Sequence, residues 1–205
     1  LQVTSRLRAL HQMGHVTDKV ELIVLGGTWS DYPLGYQTWF IVGLFRALND
    51  GRVGESNVAA LRARYREFGL TSLRSDVDER VADEQSRVTR GEETFNRAIE
   101  MLYENDEAWQ KASETQQATF EELEAAQRVN ETAAHRVVGL VIETRPDTIT
   151  ADNLALIRRF GCTKVQVGVQ SLDSTILRVN HRAISLEKIQ DAFELLRVFG
   201  FKTHA

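Results

Sequence analysis

Residues Val137–Thr150 read VVGLVIETRPDTIT, and the fold turns on how they are taken. Six mostly apolar residues run into a glutamate, a threonine, an arginine and a proline. An apolar run this short, rich in β-branched residues and closed by turn formers, predicts a buried strand rather than a helix. Pro146 has no N–H to give to a ladder, so the strand stops before it. Thr150 is placed to cap a helix over Ala151–Phe160, and Gly161 to end it.

The same alternation extends in both directions. KVELIVLGG (Lys19–Gly27) reads as a first strand, RVVGLVIET (Arg136–Thr144) as a second and TKVQVGVQS (Thr163–Ser171) as a third, while FKTHA opens a fourth. Upstream of the first, Val3, Leu7 and Leu10 keep helical spacing up to Gly14. Tyr36–Asp50 reads as the helix after the first strand. After the third, Ser185 can cap a helix over Leu186–Phe199 that Gly200 ends. Ile184 and Ile189 stand at staple positions there, and Ile189, Phe193 and Leu196 form its inward stripe.

Strands alternating with helices across short connections predict a parallel sheet with right-handed crossovers. The first two strands are so apolar that both of their faces are expected to be covered. The fold class is therefore α/β: a partial parallel (β/α) barrel with a long helical insertion. Residues 1–51 supply its first βα part, 52–135 the insertion and 136–205 the βαβα continuation.

The insertion breaks the rhythm. Arg52–Arg90 has mixed charge and room for two helices. Glu92–Ala134 is strongly helical in pattern, with one stripe of Phe95, Ile99, Leu102 and Trp109 and another of Phe120, Leu123, Ala126 and Val129. It holds eleven acidic residues against three basic ones. That composition suits a solvated acidic face, and it also suits a docking surface for a partner protein.

Totals narrow the function classes. A net charge of -4 over 205 residues excludes a chain-wide basic footprint for nucleic acid, though not a local one. One cysteine, Cys162, excludes an internal disulfide, and with no secretory signal in view a reducing, cytoplasmic setting is expected. No apolar run approaches the roughly 20 residues that span a membrane. The sequence opens inside a helical pattern and closes at the start of a strand, so a fragment of a longer protein is expected. Unpaired strand edges in such a fragment invite self-association.

The strand exits read Gly26-Gly27-Thr28, then Glu143-Thr144-Arg145-Pro146, then Gln170-Ser171. In a barrel these ends meet at one mouth, where such folds keep their working residues. Paired glycines let a ligand approach the backbone and leave N–H groups free to donate. A carboxylate can hold a hydroxyl pair or an ammonium, an arginine a carboxylate or phosphate, and a glutamine can both donate and accept. Together they suit a zwitterionic ligand bearing a ribose. Each residue also has a plainer reading. The glycines can simply form a turn, Glu143 and Arg145 can pair with each other or cap loops, and Gln170 can satisfy strand-end backbone. Cys162, after a helix-stopping glycine, reads as a small buried hydrophobe rather than a nucleophile. His181 reads as a surface group.

Four stretches carry a resemblance. VGVQSLDSTILRVNHRAISLEKIQDAFELLRVFGF is similar to the central part of a radical S-adenosylmethionine barrel. RLRALHQMGHVTDKVELIVLGGTWSDYP, EELEAAQRVNETAAHRVVGLVIETRPD and RRFGCTKVQVGVQS resemble the family of the Elongator catalytic subunit and its single-chain bacterial and archaeal relatives. The resemblance covers residues 1–50 and about 121–205. It implies a radical half joined to an acetyltransferase half, together placing a carboxymethyl-type group on position 5 of the tRNA wobble uridine. Members are also often labelled histone acetyltransferases. It implies a [4Fe–4S] cluster that reductively cleaves S-adenosylmethionine, and acetyl-CoA as the acyl source. The resulting radical would take hydrogen from the acetyl methyl, and the carbon radical would add to uridine; the cofactor does the hard chemistry and the barrel positions it.

Carried over by position, Gly26, Gly27 and Thr28 would hold the amino and carboxylate end of S-adenosylmethionine, with Thr28 standing where Glu is common. Glu143 would contact its methionine or ribose part, Gln170 the ribose and Arg182 the carboxylate. Ser171 and Arg145 join on position alone. The family's cluster needs three closely spaced cysteines after the first barrel strand, because soft thiolates bind the iron. Cys162 lies on a different element, so this chain by itself is expected to bind no cluster and to show no turnover. Two readings from other classes stand beside this one. One is a helical interaction module on a barrel scaffold; the other is a phosphate-binding barrel using Glu143 in acid–base chemistry.

Overall fold

The structure is a computed structural model that describes residues 2–50, 55–70, 74–182 and 184–205. Strands β1 (Lys19–Val24), β2 (Arg136–Thr144), β3 (Lys164–Val167) and β4 (Lys202–His204) form one sheet in the order β1-β2-β3-β4, and every pairing is parallel. Each new strand adds on the same side of the last. That sequential order is the connectivity of a (β/α) barrel wall, whereas a doubly wound sheet reverses direction at a switch point.

Helices cover one face. α2 (Leu34–Asn49), α7 (Phe120–Asn130), α8 (Ala151–Arg159) and α10 (Leu186–Val198) contribute Ile41, Phe45, Leu123, Ile157 and Leu196 to a core shared with Leu140, Ile142, Val165 and Val167 of the sheet. Phe160 is fully buried at its centre, edge-on to Trp29 at 6.1 Å and stacked on Phe120 at 5.8 Å. One ring thus joins the loop after β1, α7 and the end of α8. A short helix, α9 (Ser174–Val179), lies between β3 and α10, and α1 (Gln2–Gln12) precedes β1.

The helix ends follow the local chemistry that the sequence advertises. Thr150 and Ser185 accept from the backbone N–H of Asn153 and Lys188, capping α8 and α10. Past α8, Gly161 adopts φ +90°, and the Gly161 and Cys162 N–H groups donate back to Arg158 and Ile157. A Thr119–Glu122 capping box starts α7. Asn130 is buried: its side chain donates to Asn49 and to the His135 carbonyl, and accepts from Val137 N–H. It joins α7, α2 and β2.

Several expectations are corrected. β1 is not covered on both faces. Lys19, Glu21 and Ile23 are exposed and only Val20, Leu22 and Val24 turn toward the helices. β1 ends at Val24 rather than Gly27, and β3 spans Lys164–Val167 rather than Thr163–Ser171.

By packing the chain divides into two compact units, 2–51 with 118–205, and 52–117. The second is shorter than the 52–135 segment drawn from composition, because α7 packs against α2 and lies in the sheet's unit. Within 52–117 are α3 (Glu55–Glu67), α4 (Arg74–Thr89), α5 (Phe95–Ile99) and α6 (Glu107–Glu114). α5 runs into a π-helical turn, Glu100–Glu104, which rotates the phase of the chain. The stripe expected from Phe95 to Trp109 therefore does not form one buried face: Phe95 is 68% exposed and Trp109 38%. In the second stripe Leu123 and Ala126 are buried, but Val129 is exposed.

Cys162 is buried, and its Sγ donates to the Lys164 carbonyl. Burial pushes its thiol up to about 11. Phe160→Ala is expected to cost about 3–5 kcal/mol, the usual range for deleting a buried ring, read as a lower urea midpoint. The raised thiol has its own signature. Above the unfolded value of about 8.5 the unfolded chain releases a proton that the native chain keeps. Its contribution is thus fully present below that value and is lost as pH climbs toward about 11. Cys162→Ala is expected to flatten that loss in urea titrations across the window.

Candidate functional site

Register places the polar strand-end residues. Glu143 of β2 pairs with Gln166 of β3, and Gln166 with His204 of β4. In-register neighbours point to the same side, and these alternate with Ile142, Thr144, Val165 and Val167. Glu143, Gln166 and His204 therefore share the face turned away from the helices. Val141, also on that face, is buried yet lies outside the helix-side core.

The exits of β1, β2 and β3 are tied together by hydroxyls and backbone. Ser30, in the 3-10 turn Trp29–Asp31 after β1, hydrogen-bonds Thr144 Oγ1 at 3.2 Å. Thr144 Oγ1 meets Thr148 Oγ1 at 2.6 Å, and Thr148 donates to the Arg145 carbonyl. On the other side, Gly168 N–H donates to the Thr144 carbonyl at 3.0 Å. Sequence reasoning missed Ser30 and Thr148, and gave Thr144 a place in the strand exit but no role. They are separated by up to 118 positions in the chain, and only residue type hinted at them.

Gly26 and Gly27 are exposed, with φ of 104° and 70°. A Cβ at Gly26 would meet nothing within 4 Å, while one at Gly27 would lie 3.2 Å from the Tyr32 hydroxyl. Open backbone at Gly26 is what a close ligand approach requires. Thr28 begins the 3-10 turn, its carbonyl accepting from Asp31 N–H.

Gln170 has φ 68°, a region that L-residues other than Asn and Asp seldom adopt. It is the centre of a γ-turn in which Ser171 N–H donates to the Val169 carbonyl at 2.8 Å. The turn folds its side chain back: Gln170 Nε2 lies 3.2 Å from where a Cβ of Gly168 would be. Gly168 follows Gln166 by two residues, so the Gln170 amide arrives on the face that carries Glu143. Ser171 Oγ accepts from Asp173 N–H, and Asp173 caps α9.

Arg145 is committed elsewhere. It grips Asp147 two residues on, at 3.1 and 2.9 Å. Glu143 therefore does not pair with Arg145, and among the described residues it has no hydrogen bond or ion pair. Arg182 N–H donates to the Leu177 carbonyl, closing α9 behind His181, which takes φ 53° at the usual glycine position. The Arg182 side chain is exposed, and no hydrogen bond or ion pair among the described residues joins it to the strand exits. The Ser30–Thr144 and Gly168–Thr144 contacts thus hold the exits of β1, β2 and β3 side by side, Arg145 stays in its own loop with Asp147, and Arg182 makes no contact with the exits among the described residues.

No group of three or more His, Cys, Asp or Glu side chains among the described residues could hold a metal ion. The single cysteine is buried, with a thiol well above the usual range. These residues do not fit an iron–sulfur cluster, whose ligands are thiolates. The donor set does fit a small zwitterion with hydroxyls: open glycine backbone, an unpaired carboxylate and a folded-back amide.

The Radical SAM superfamily model matches residues 111–205. The tRNA uridine(34) acetyltransferase of Dehalococcoides mccartyi is 30% identical across 99% of this chain, which covers 30% of that protein. That of Methanocaldococcus infernus is 29% identical across 98% of the chain and 25% of the relative. Human Elongator complex protein 3 is 26% identical across all of the chain and 25% of its own length. The chain therefore spans between a quarter and a third of these relatives. A solved structure of the archaeal Methanocaldococcus infernus Elp3, lacking its N-terminus, superposes with a TM-score of 0.62 at 29% identity, covering 99% of this chain and 32% of that one. Sheet order and these likenesses agree: residues 111–205 are similar to the Radical SAM superfamily, and the chain over nearly its whole length is similar to the tRNA uridine(34) acetyltransferases and Elongator complex protein 3.

Proposed function

We propose that this chain supplies the S-adenosylmethionine-holding wall of an enzyme that modifies the wobble uridine of tRNA. One observation carries the reading. Glu143 stands unpaired at the end of β2, and a strained γ-turn folds the Gln170 amide onto the same face. Backbone strain of this kind costs about 1–3 kcal/mol and persists where the side chain's placement matters.

In this reading the open backbone at Gly26 and Gly27, with Thr28, binds the amino and carboxylate end of S-adenosylmethionine. Glu143 accepts from its ammonium or ribose hydroxyls, and Gln170 orients the ribose. Arg182 reaches the carboxylate by moving from its exposed position, and Ser171 and Arg145 line the approach. When bound, S-adenosylmethionine is the source of the 5′-deoxyadenosyl radical. The residues of this chain bind and orient it and keep water from it; the cluster ligands belong to no residue described here.

The finer chemistry rests on the family resemblance drawn from the sequence. The whole protein adds an acetyl-derived, carboxymethyl-type group at position 5 of the uridine, with acetyl-CoA as donor and the cytoplasm as its place of work. The 205 residues alone have no turnover. The acidic helical insertion, drawn from the sequence as residues 52–135, is the part offered to a protein partner.

Calorimetric titration with S-adenosylmethionine is expected to show saturable binding that Glu143→Ala weakens about 10-fold or more, the size of one lost charge-assisted hydrogen bond. Equal affinity in the variant, or no saturable binding by the parent sequence, overturns the assignment. Gln170→Gly is expected to separate stability from function. It relieves the positive φ and raises the unfolding free energy by about 1 kcal/mol, read as a higher urea midpoint, yet weakens S-adenosylmethionine binding.

A further inference from the structure

The loop that carries Gly26 and Gly27 is anchored beyond the glycines rather than at them. Two consecutive glycines restrain the backbone little, so the direction of their N–H groups is set by what holds the residues that follow. Trp29 is buried, with its ring edge-on to Phe160. The Tyr32 carbonyl accepts from Nε2 of buried Gln37 at 2.6 Å. Between these two anchors, Ser30 Oγ meets Thr144 Oγ1 at 3.2 Å. Thr144 follows Glu143 directly, so this contact ties the glycine loop to the strand end that carries the carboxylate.

The protons in the hydroxyl chain have one direction. A hydroxyl has a single proton to donate. Thr148 Oγ1 lies 2.9 Å from the Arg145 carbonyl, which can only accept, and its proton is committed there. Thr144, 2.6 Å from Thr148, therefore donates to Thr148, and Ser30 donates to Thr144. Thr144 must both accept and donate, and bonds arranged head to tail in this way strengthen one another. Thr144 is buried by this chain's own residues. It alternates with Glu143 along β2, so the chain of hydroxyls runs behind the face that carries Glu143 and not on it.

We infer that Ser30 is a positioning residue: by donating to Thr144 it fixes the glycine loop relative to Glu143, so that backbone donors and carboxylate reach one ligand together. This rests on the S-adenosylmethionine reading above. A loop already held in place loses less freedom when the ligand arrives, and affinity rises accordingly.

Calorimetric titration with S-adenosylmethionine, paired with urea unfolding of the same 205-residue variants, tests it. Ser30→Ala and Thr144→Val are each expected to weaken binding about 3- to 10-fold, the size of one neutral hydrogen bond. The double variant is expected to bind no worse than the weaker single one, because both changes remove the same contact. Thr144→Ser keeps the hydroxyl and is expected to keep the affinity. Thr148→Val leaves Ser30 on Thr144, so it lowers the urea midpoint yet weakens binding less than Thr144→Val does. Should Thr144→Val fail to fold, Ser30→Ala decides, since Ser30 sits in a partly exposed turn. Midpoints that fall in Ser30→Ala and Thr144→Val with affinity unchanged overturn the inference. So do affinity losses that track stability in every variant, Thr148→Val included, and losses that add in the double variant. If the parent sequence binds, and Glu143→Ala weakens binding while Ser30→Ala does not, this inference falls and the cofactor reading stands. No saturable binding by the parent sequence overturns that reading and this inference with it.

Discussion

Everything in the sheet's unit hangs on the two-sided pairing of β2. It bonds β1 through a register that shifts at Val20/Glu21, and β3 from Val141 to Thr144. Pairing on both sides fixes its orientation, so alternate residues must serve two different environments. Leu140 and Ile142 enter the helix-side core, while Gly139, Val141 and Glu143 face the other way. The register shift leaves Val138 outside the pairing and sets the phase of Gly139, and that phase lets Glu21 cross to Lys164.

The two faces follow different rules. The helix side is a packed core organised round Phe160, with each helix end capped by local chemistry. The other side leaves costs in place: a glutamate with no partner and a glutamine at positive φ. Proteins tolerate such features where binding offsets them, and the inconsistency between local preference and global fold marks the face that works. The hydroxyl chain from Ser30 through Thr144 to Thr148 stands between the two regimes. It holds the glycine loop after β1 against the end of β2, so the rim has a fixed geometry behind its exposed groups.

Glu143 and Arg145 both follow a buried strand, for different reasons. Arg145 serves its own loop by gripping Asp147. Glu143 is left free by the same event, which is why one of two adjacent charges reads as a ligand contact and the other as loop structure. Sequence spacing treats them alike; only the short reach from Arg145 to Asp147 separates them.

Short-range chemistry was enough to write much of the fold in advance. Period-two and period-3.6 patterns, Thr150 and Ser185 as caps, Gly161 and Gly200 as stops and Pro146 as a strand end all act within a few residues, so they are visible in the sequence itself. The strand-exit residues were legible for the same reason: a polar residue after an apolar run is a local fact. What the tertiary structure alone decided depends on groups far apart in the chain. These are the exposure of one face of β1, the membership of α7 in the sheet's unit, the loss of the Phe95–Trp109 stripe to a π-helical turn, and the meetings of Ser30 with Thr144 and of Glu21 with Lys164. Such contacts are set by strand register and helix phase. A shift of one residue in either would send the same side chains to the opposite face, and no local pattern records which register wins.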